Sequence, residues 1–266
     1  MKKQDVEFGH PEFWEQVYAS FPKFFEVIFR AGDALNGITV RRYDNLEPCQ
    51  KIIFNLGLLT GFSVMELITL VGNGFGLGAM KIARTILESS INEEYLRLYT
   101  GECDDYLEWH WVEQYKMLKY VQQNMPEHLS ELSETEQTER GFQDSKPRYL
   151  RKDGQLRGSW CRLDLGSRAA KTGFTEAYKL IYPFGSQLIH GSIGGLAMHF
   201  DGTHEGARIS PPPSLNWCEQ ALVGAHMCLY RIVYTLSLTL KVQPFPSLNQ
   251  LEADYKYAWN KSERTG

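Results

Sequence analysis

Along this chain the apolar positions recur at helical spacing, and no convincing run alternates in the two-residue rhythm of a strand. The clearest stripe is Leu222, Ala225, Leu229, Val233, Leu236 and Leu240, spaced 3, 4, 4, 3 and 4 inside a helix predicted over 215–242. A first helix is predicted over 11–31, opened by Pro11 and made heavily apolar by Phe13, Trp14, Phe21, Phe24, Phe25 and Phe29. Further helices are predicted over 47–71, 72–100, 102–125, 174–191 and 248–259, with 32–46 as a connector. The glycines at 72, 74, 76 and 78 read as a tight helix–helix turn, because their spacing is neither that of a dinucleotide fingerprint nor that of a P-loop. Thr175 is the expected N-cap of its helix, Pro183 kinks or restarts it, and Gly191 ends it. The predicted architecture is all-α, a single helical domain over 1–266 with its core at about 47–242. Four core helices, near 75–100, 102–125, 174–191 and 215–241, form a bundle flanked by N- and C-terminal helices.

The stretch from Gly72 to Thr100 organises the rest. Leu77, Met80, Arg84, Glu88, Ile91, Tyr95 and Leu98 fall within one narrow stripe of its helix, so a charge pair sits in the middle of an apolar face. Charges in such a place must be paired and hydrogen-bonded. Arg84 and Glu88 are therefore read either as an ion pair that fixes helix register or as a functional pair, in which Glu88 orients a base or Arg84 holds an anion. Farther along, Tyr178, Tyr182, Ser186 and His190 follow one another four apart on one face. Histidine is the side-chain type that ordinarily changes charge near neutral pH, and His190 stands just past the Pro183 irregularity. A Ser–His nucleophile pair needs a third group and an oxyanion hole that a single helix does not supply.

Composition narrows the classes. With 43% hydrophobic and 23% charged residues in 266, the chain is an ordinary globular protein, and a net charge of −4 gives no global pull toward nucleic acid or an anionic membrane; no DNA partner is expected. Five cysteines without a C-x-x-C spacing read as reduced, mostly buried thiols, and the N-terminal MKKQDVEFGHPEFWEQ has no apolar run behind its lysines; a cytoplasmic protein without a signal peptide is expected. Ile52–Val71 is apolar enough to resemble a membrane span, but its polar residues and glycines favour a buried bundle helix, and no membrane association is expected.

Two local features carry further chemistry. From 126 to 171 five acids are followed by nine bases and three acids, an excursion read as a solvated, mobile segment or as a basic lip for a phosphate-bearing ligand. His199, Asp201 and His204 make an H-x-D-x2-H cluster whose spacing matches no established metal motif, so neither metal nor cofactor is expected. His110, between Trp109 and Trp111, reads as a packed histidine.

Three pieces together resemble an uncharacterised bacterial all-helical family of unknown function: GNGFGLGAMKIARTILESSINEEY with its R-T-x-L-E signature, Trp160 in the sequence GSW, and Y-x3-Y-x3-S-x3-H-G at Tyr178, Tyr182, Ser186, His190 and Gly191. The resemblance covers about 54–242. The chain is more distantly similar to HEPN helical bundles, whose ribonuclease members use an Arg-x4-6-His motif, usually completed across a dimer. His190 matches the histidine; at 184–186 stand Phe184, Gly185 and Ser186, with no arginine. The similarity implies RNA as partner, a homodimer, and His190, Arg84, Glu88, Ser186 and Tyr182 as catalytic candidates, with Tyr95, Trp160 and Tyr178 as binding candidates. The competing expectation is a non-catalytic interaction scaffold in which Arg84, Glu88 and His190 form a buried network. A small-ligand pocket at the same residues is a third.

Overall fold

The structure, a computed structural model, describes residues 9–132, 134–198, 200–203, 206–209 and 213–260. Helices α1 (Pro11–Ser20), α2 (Pro22–Thr39), α3 (Pro48–Gly72), α4 (Gly76–Leu98), α5 (Cys103–Asn124), α6 (Thr135–Ser145), α7 (Leu165–Thr172), α8 (Thr175–Ile189), α9 (Ile193–Ala197), α10 (Cys218–Leu240) and α11 (Leu248–Trp259) confirm the all-α bundle. A two-stranded antiparallel hairpin, β1 (Phe200–Thr203) with β2 (Gly206–Ile209), lies in a segment predicted as loop.

At the centre α4 packs against α3, α10 and α8. The α10 stripe is buried through Leu236, as its spacing required. The structure corrects the choice of core helices: α3 holds a central place, whereas α5 lies at the edge, packed mostly on α6. Small residues explain the α3 contact. A Cβ added at Gly57 would lie 2.9 Å from a Leu236 methyl, so the glycine lets α10 come close. Both α3 and α10 are long and apolar enough to cross a membrane, with 67% of the most apolar stretch of α10 buried and 39% of that of α3.

The predicted first helix is two. Pro22 removes an N–H, the chain turns at Phe21, and α2 then runs to Thr39 through the predicted connector. It continues because Ala31, Ala34, Leu35 and Ile38 keep an apolar stripe in the core, which outweighs the helix-weakening Gly32 and Gly37. The glycine run makes the tight α3–α4 turn expected of it, with Gly74 at φ +73 against Pro213 and Ser214. α8 continues without a break through Pro183 rather than restarting there, and its N-cap is Phe174 with Thr175 one position inside. α11 starts on a Ser247 cap, whose hydroxyl accepts from the Gln250 N–H.

The excursion is neither empty nor detached. Phe142 of α6 stacks on Tyr115 of α5 at 3.8 Å, and Tyr149, Trp160, Leu165 and Ala169 are buried. Its bases are largely spent at home: Arg148 meets Asp105 and Glu108, Arg157 lies on the Tyr149 ring, and Arg168 is buried. His110 is exposed on α5 rather than packed. The expectation of five free thiols is corrected too. Cys49 and Cys103, at the starts of α3 and α5, are joined as a disulfide beside the Leu96 carbonyl, leaving Cys161, Cys218 and Cys228 free and buried.

Candidate functional site

The α4–α8 seam brings four of the eight candidate residues into contact. α8 turns Ala177, Ile181, Gly185 and Leu188 into the core, which places Tyr178, Tyr182 and Ser186 along the neighbouring edge. Gly185 sets the distance between the helices. A Cβ there would lie 2.6 Å from the Arg84 Cβ and 2.9 Å from the Met80 carbonyl oxygen, closer than real atoms approach. Gly185→Ala is therefore expected to force the helices apart at a cost of about 1–3 kcal/mol, read as a lower urea midpoint. An unchanged midpoint would mean that the seam is loose.

This close approach seats the Arg84 guanidinium on the Tyr182 ring, 4.5 Å from its centroid, with Nη2 donating to the phenol oxygen at 3.0 Å. The same Nη2 lies 3.4 Å from Glu88 Oε2, and Arg84 Nε is buried without a partner among the described residues. Tyr182 in turn stacks on Tyr178, rings 4.8 Å apart and 20° from parallel. Burial raises the Tyr178 phenol above its ordinary range, with the Tyr182 phenol adding to the effect. The side chains of Arg84 and Glu88 are 17% and 39% exposed, so the seam opens to solvent along one edge.

Ser186 is half-buried one turn beyond Tyr182, and its carbonyl accepts from the His190 N–H at 3.0 Å. His190 caps the C-terminal end of α8 and is exposed; Gly191 follows at φ +58. Among the described residues no hydrogen bond or ion pair joins its ring to Arg84 or Glu88. A buried network containing His190 is thus not what the fold builds. His199 and His204 lie outside the described residues, and among the described residues no His, Cys, Asp and Glu cluster has metal-binding geometry.

Tyr95 and Trp160 lie in a different, buried cluster. The Tyr95 hydroxyl donates to Glu102 Oε1 at 2.8 Å, and its phenol is raised chiefly by burial and then by that bond. Trp160 stands edge-on to Tyr95 and Tyr106, with the Arg168 guanidinium 5.0 Å over its ring and bonded to Asn92. The Cys161 thiol donates to the other Glu102 oxygen at 3.3 Å, and burial pushes it up.

Sequence reasoning overlooked the most deeply buried charges of α4, Glu93 and Glu94. Glu94 takes two bonds from Arg97, at 2.8 and 2.7 Å, and one from the Thr235 hydroxyl of α10 at 2.7 Å. Arg231, also of α10, lies 3.8 Å from it, donates to the Thr172 carbonyl at the end of α7, and covers Phe174. Glu93 has no such company. Both its oxygens lack partners among the described residues, and burial, then the charge of Glu94, holds its carboxyl well above the usual range. Two adjacent acids between Ile91 and Tyr95, residues of the same apolar face, were the available signal.

No curated protein and no solved structure matches the chain. Residues 62–208, more than half of the chain and the span that holds every residue of the α4–α8 seam, match the family of unknown function DUF5677, and the chain belongs to that family.

Proposed function

We propose that this chain is an RNA-binding, HEPN-like helical protein whose site is the open edge between α4 and α8, with His190 at its end as the proton-transfer group. The observation that carries the reading is the guanidinium of Arg84 seated on Tyr182 beside a second stacked tyrosine. Phosphate recognition needs a fixed, planar, charged donor, and nucleobases stack on aromatic rings and guanidinium planes. Glu88, 3.4 Å from Arg84 Nη2, is displaced when phosphate binds. In the cleavage reaction His190 takes the proton of a ribose 2′-hydroxyl, whose oxygen attacks the adjacent phosphorus. The P–O5′ bond breaks, the 5′-oxygen takes a proton from solvent, His190 later returns its own to solvent, and a 2′,3′-cyclic phosphate remains. Arg84 supports the charge on the phosphoryl oxygens.

The test uses the full chain with total tRNA and a labelled single-stranded RNA, with and without EDTA. Binding is expected to weaken about tenfold or more in Arg84→Ala and Tyr182→Ala. Cleavage is expected to vanish in His190→Ala and to survive EDTA. Binding without cleavage in any lane would remove the catalytic role and keep the RNA site. Neither binding nor cleavage by the folded protein would overturn the reading in favour of an interaction module. A specific observation favours that second reading: Leu59, Phe62 and Met65 expose an apolar face on α3.

A further inference from the structure

α4 and α10 cover one side of α3, and the other side faces solvent from Lys51 to Glu66. Lys51, Asn55, Leu59, Phe62, Met65 and Glu66 are all exposed there and share one face of the helix. Leu59 and Phe62 are each 63% exposed, and Met65 is 57% exposed. A single apolar side chain on a surface needs no explanation. Three on adjacent turns of one helix make a contact face.

The charges on this face say what covers it. Lys51 stands at one end and Glu66 toward the other, fifteen positions apart, or about 22 Å along the axis. Neither has an ion-pair partner among the described residues, and Leu59 lies midway between them. A two-fold axis through Leu59, perpendicular to the helix, lays a second α3 antiparallel on the first. The contacts are then reciprocal. Lys51 of each copy meets Glu66 of the other, and Leu59 and Phe62 of both copies close around the axis. A parallel pairing would set lysine on lysine and glutamate on glutamate, which repels. A bilayer suits the face less well, because it would take up Asn55 and Glu66 with nothing to pair them.

We propose that this chain self-associates through α3, two copies lying antiparallel about Leu59 with reciprocal Lys51–Glu66 ion pairs. The proposal gives the interaction reading of α3 its partner, a second copy of the chain, and does not rest on the RNA reading.

Sedimentation velocity of the full chain, without RNA and over a wide range of concentration, tests it. One helix pair is smaller than a standard interface of about 1,600 Å², so a monomer–dimer equilibrium with a Kd of about 10 µM is expected. Phe62→Arg, at an exposed position, is expected to weaken it about 30-fold or more. Lys51→Glu and Glu66→Lys each put like charges at both ends of the seam and are each expected to weaken it about tenfold. The double variant, in which the two charges change places, is expected to associate like wild type. That recovery also shows that the single variants did not fail by misfolding. A chain that is monomeric at every concentration would overturn the proposal. So would a dimer that survives Phe62→Arg, or a double variant no tighter than the single ones. A monomer that binds phosphatidylcholine vesicles through Phe62 would overturn it as well and assign the face to a membrane. The readout is mass rather than RNA binding, so the two readings stand or fall separately.

Discussion

Glu94→Ala is expected to destabilise the protein by about 3–5 kcal/mol, the range found when one partner of a buried ion pair is removed. The carboxylate is almost wholly buried and receives three short hydrogen bonds, two from Arg97 and one from Thr235. Its loss leaves the Arg97 and Arg231 guanidinium groups half-buried with one shared anion gone, and strands the buried Thr235 hydroxyl. Glu94→Gln keeps the shape but can accept from only one side, so it is expected to fall between wild type and alanine. Removing the exposed pair Glu136–Arg140 of α6 is expected to change little, because solvent screens it. Urea unfolding of the three variants measures the difference. A Glu94→Ala midpoint no lower than that of the α6 variant would mean that the cluster contributes no net stability.

The second large effect is on pH. His226 is buried against Phe24, Tyr255 and Trp259, and burial lowers its pKa from 6.5 to about 4, with Asp254 opposing weakly. The unfolded chain therefore takes up a proton at pH 6.5 that the folded chain refuses until about 4. The His226 contribution to stability is expected to fall across that window by about 3 kcal/mol and to level off below it. Asp254 acts lower: Arg30, bound through two 2.8 Å bonds, holds its carboxyl below the ordinary 3.8, so its contribution is lost only as pH falls further. Glu93 works in the other direction. Its raised pKa makes the folded chain hold a proton that the unfolded one releases above 4.5, so this residue lowers stability as pH rises from there. His226→Gln is expected to flatten the limb between pH 6.5 and 4, and Glu93→Gln to raise the unfolding midpoint at pH 8. A His226→Gln acid limb identical to that of wild type would refute the assignment.

These two predictions concern residues that the sequence did not single out, and the reason is physical. The α10 stripe and the bounds of α11 were legible because periodicity and a serine cap are local signals, complete within one helix. The break at Pro22 was legible in principle and was outvoted by the run of phenylalanines on both sides. The α2 extension was hidden by two glycines that the core tolerates. In α4 the pattern placed Arg84 and Glu88 on the best apolar face, and the fold puts them at its open margin. Of the acids that do go inside, Glu94 has one partner within α4, Arg97 three residues on, but depends on α10 for Thr235 and Arg231, and no spacing within α4 announces partners over a hundred residues away. Tyr178 and Tyr182, four residues apart, meet as a stacked pair as helical spacing allows. Their meeting with Arg84 depends on Gly185, whose role is visible only once two helices are laid together.

The bond between Thr235 and Glu94 joins residues 141 positions apart. During synthesis α4 is complete long before α10 leaves the ribosome. Until then Glu94 lacks Thr235 and Arg231, and the surface that will hide Glu93 is open to water. Full pairing of Glu94 is thus coupled to the arrival of the last long helix. The span matched by the family, residues 62–208, ends before α10 and so does not include Thr235 or Arg231.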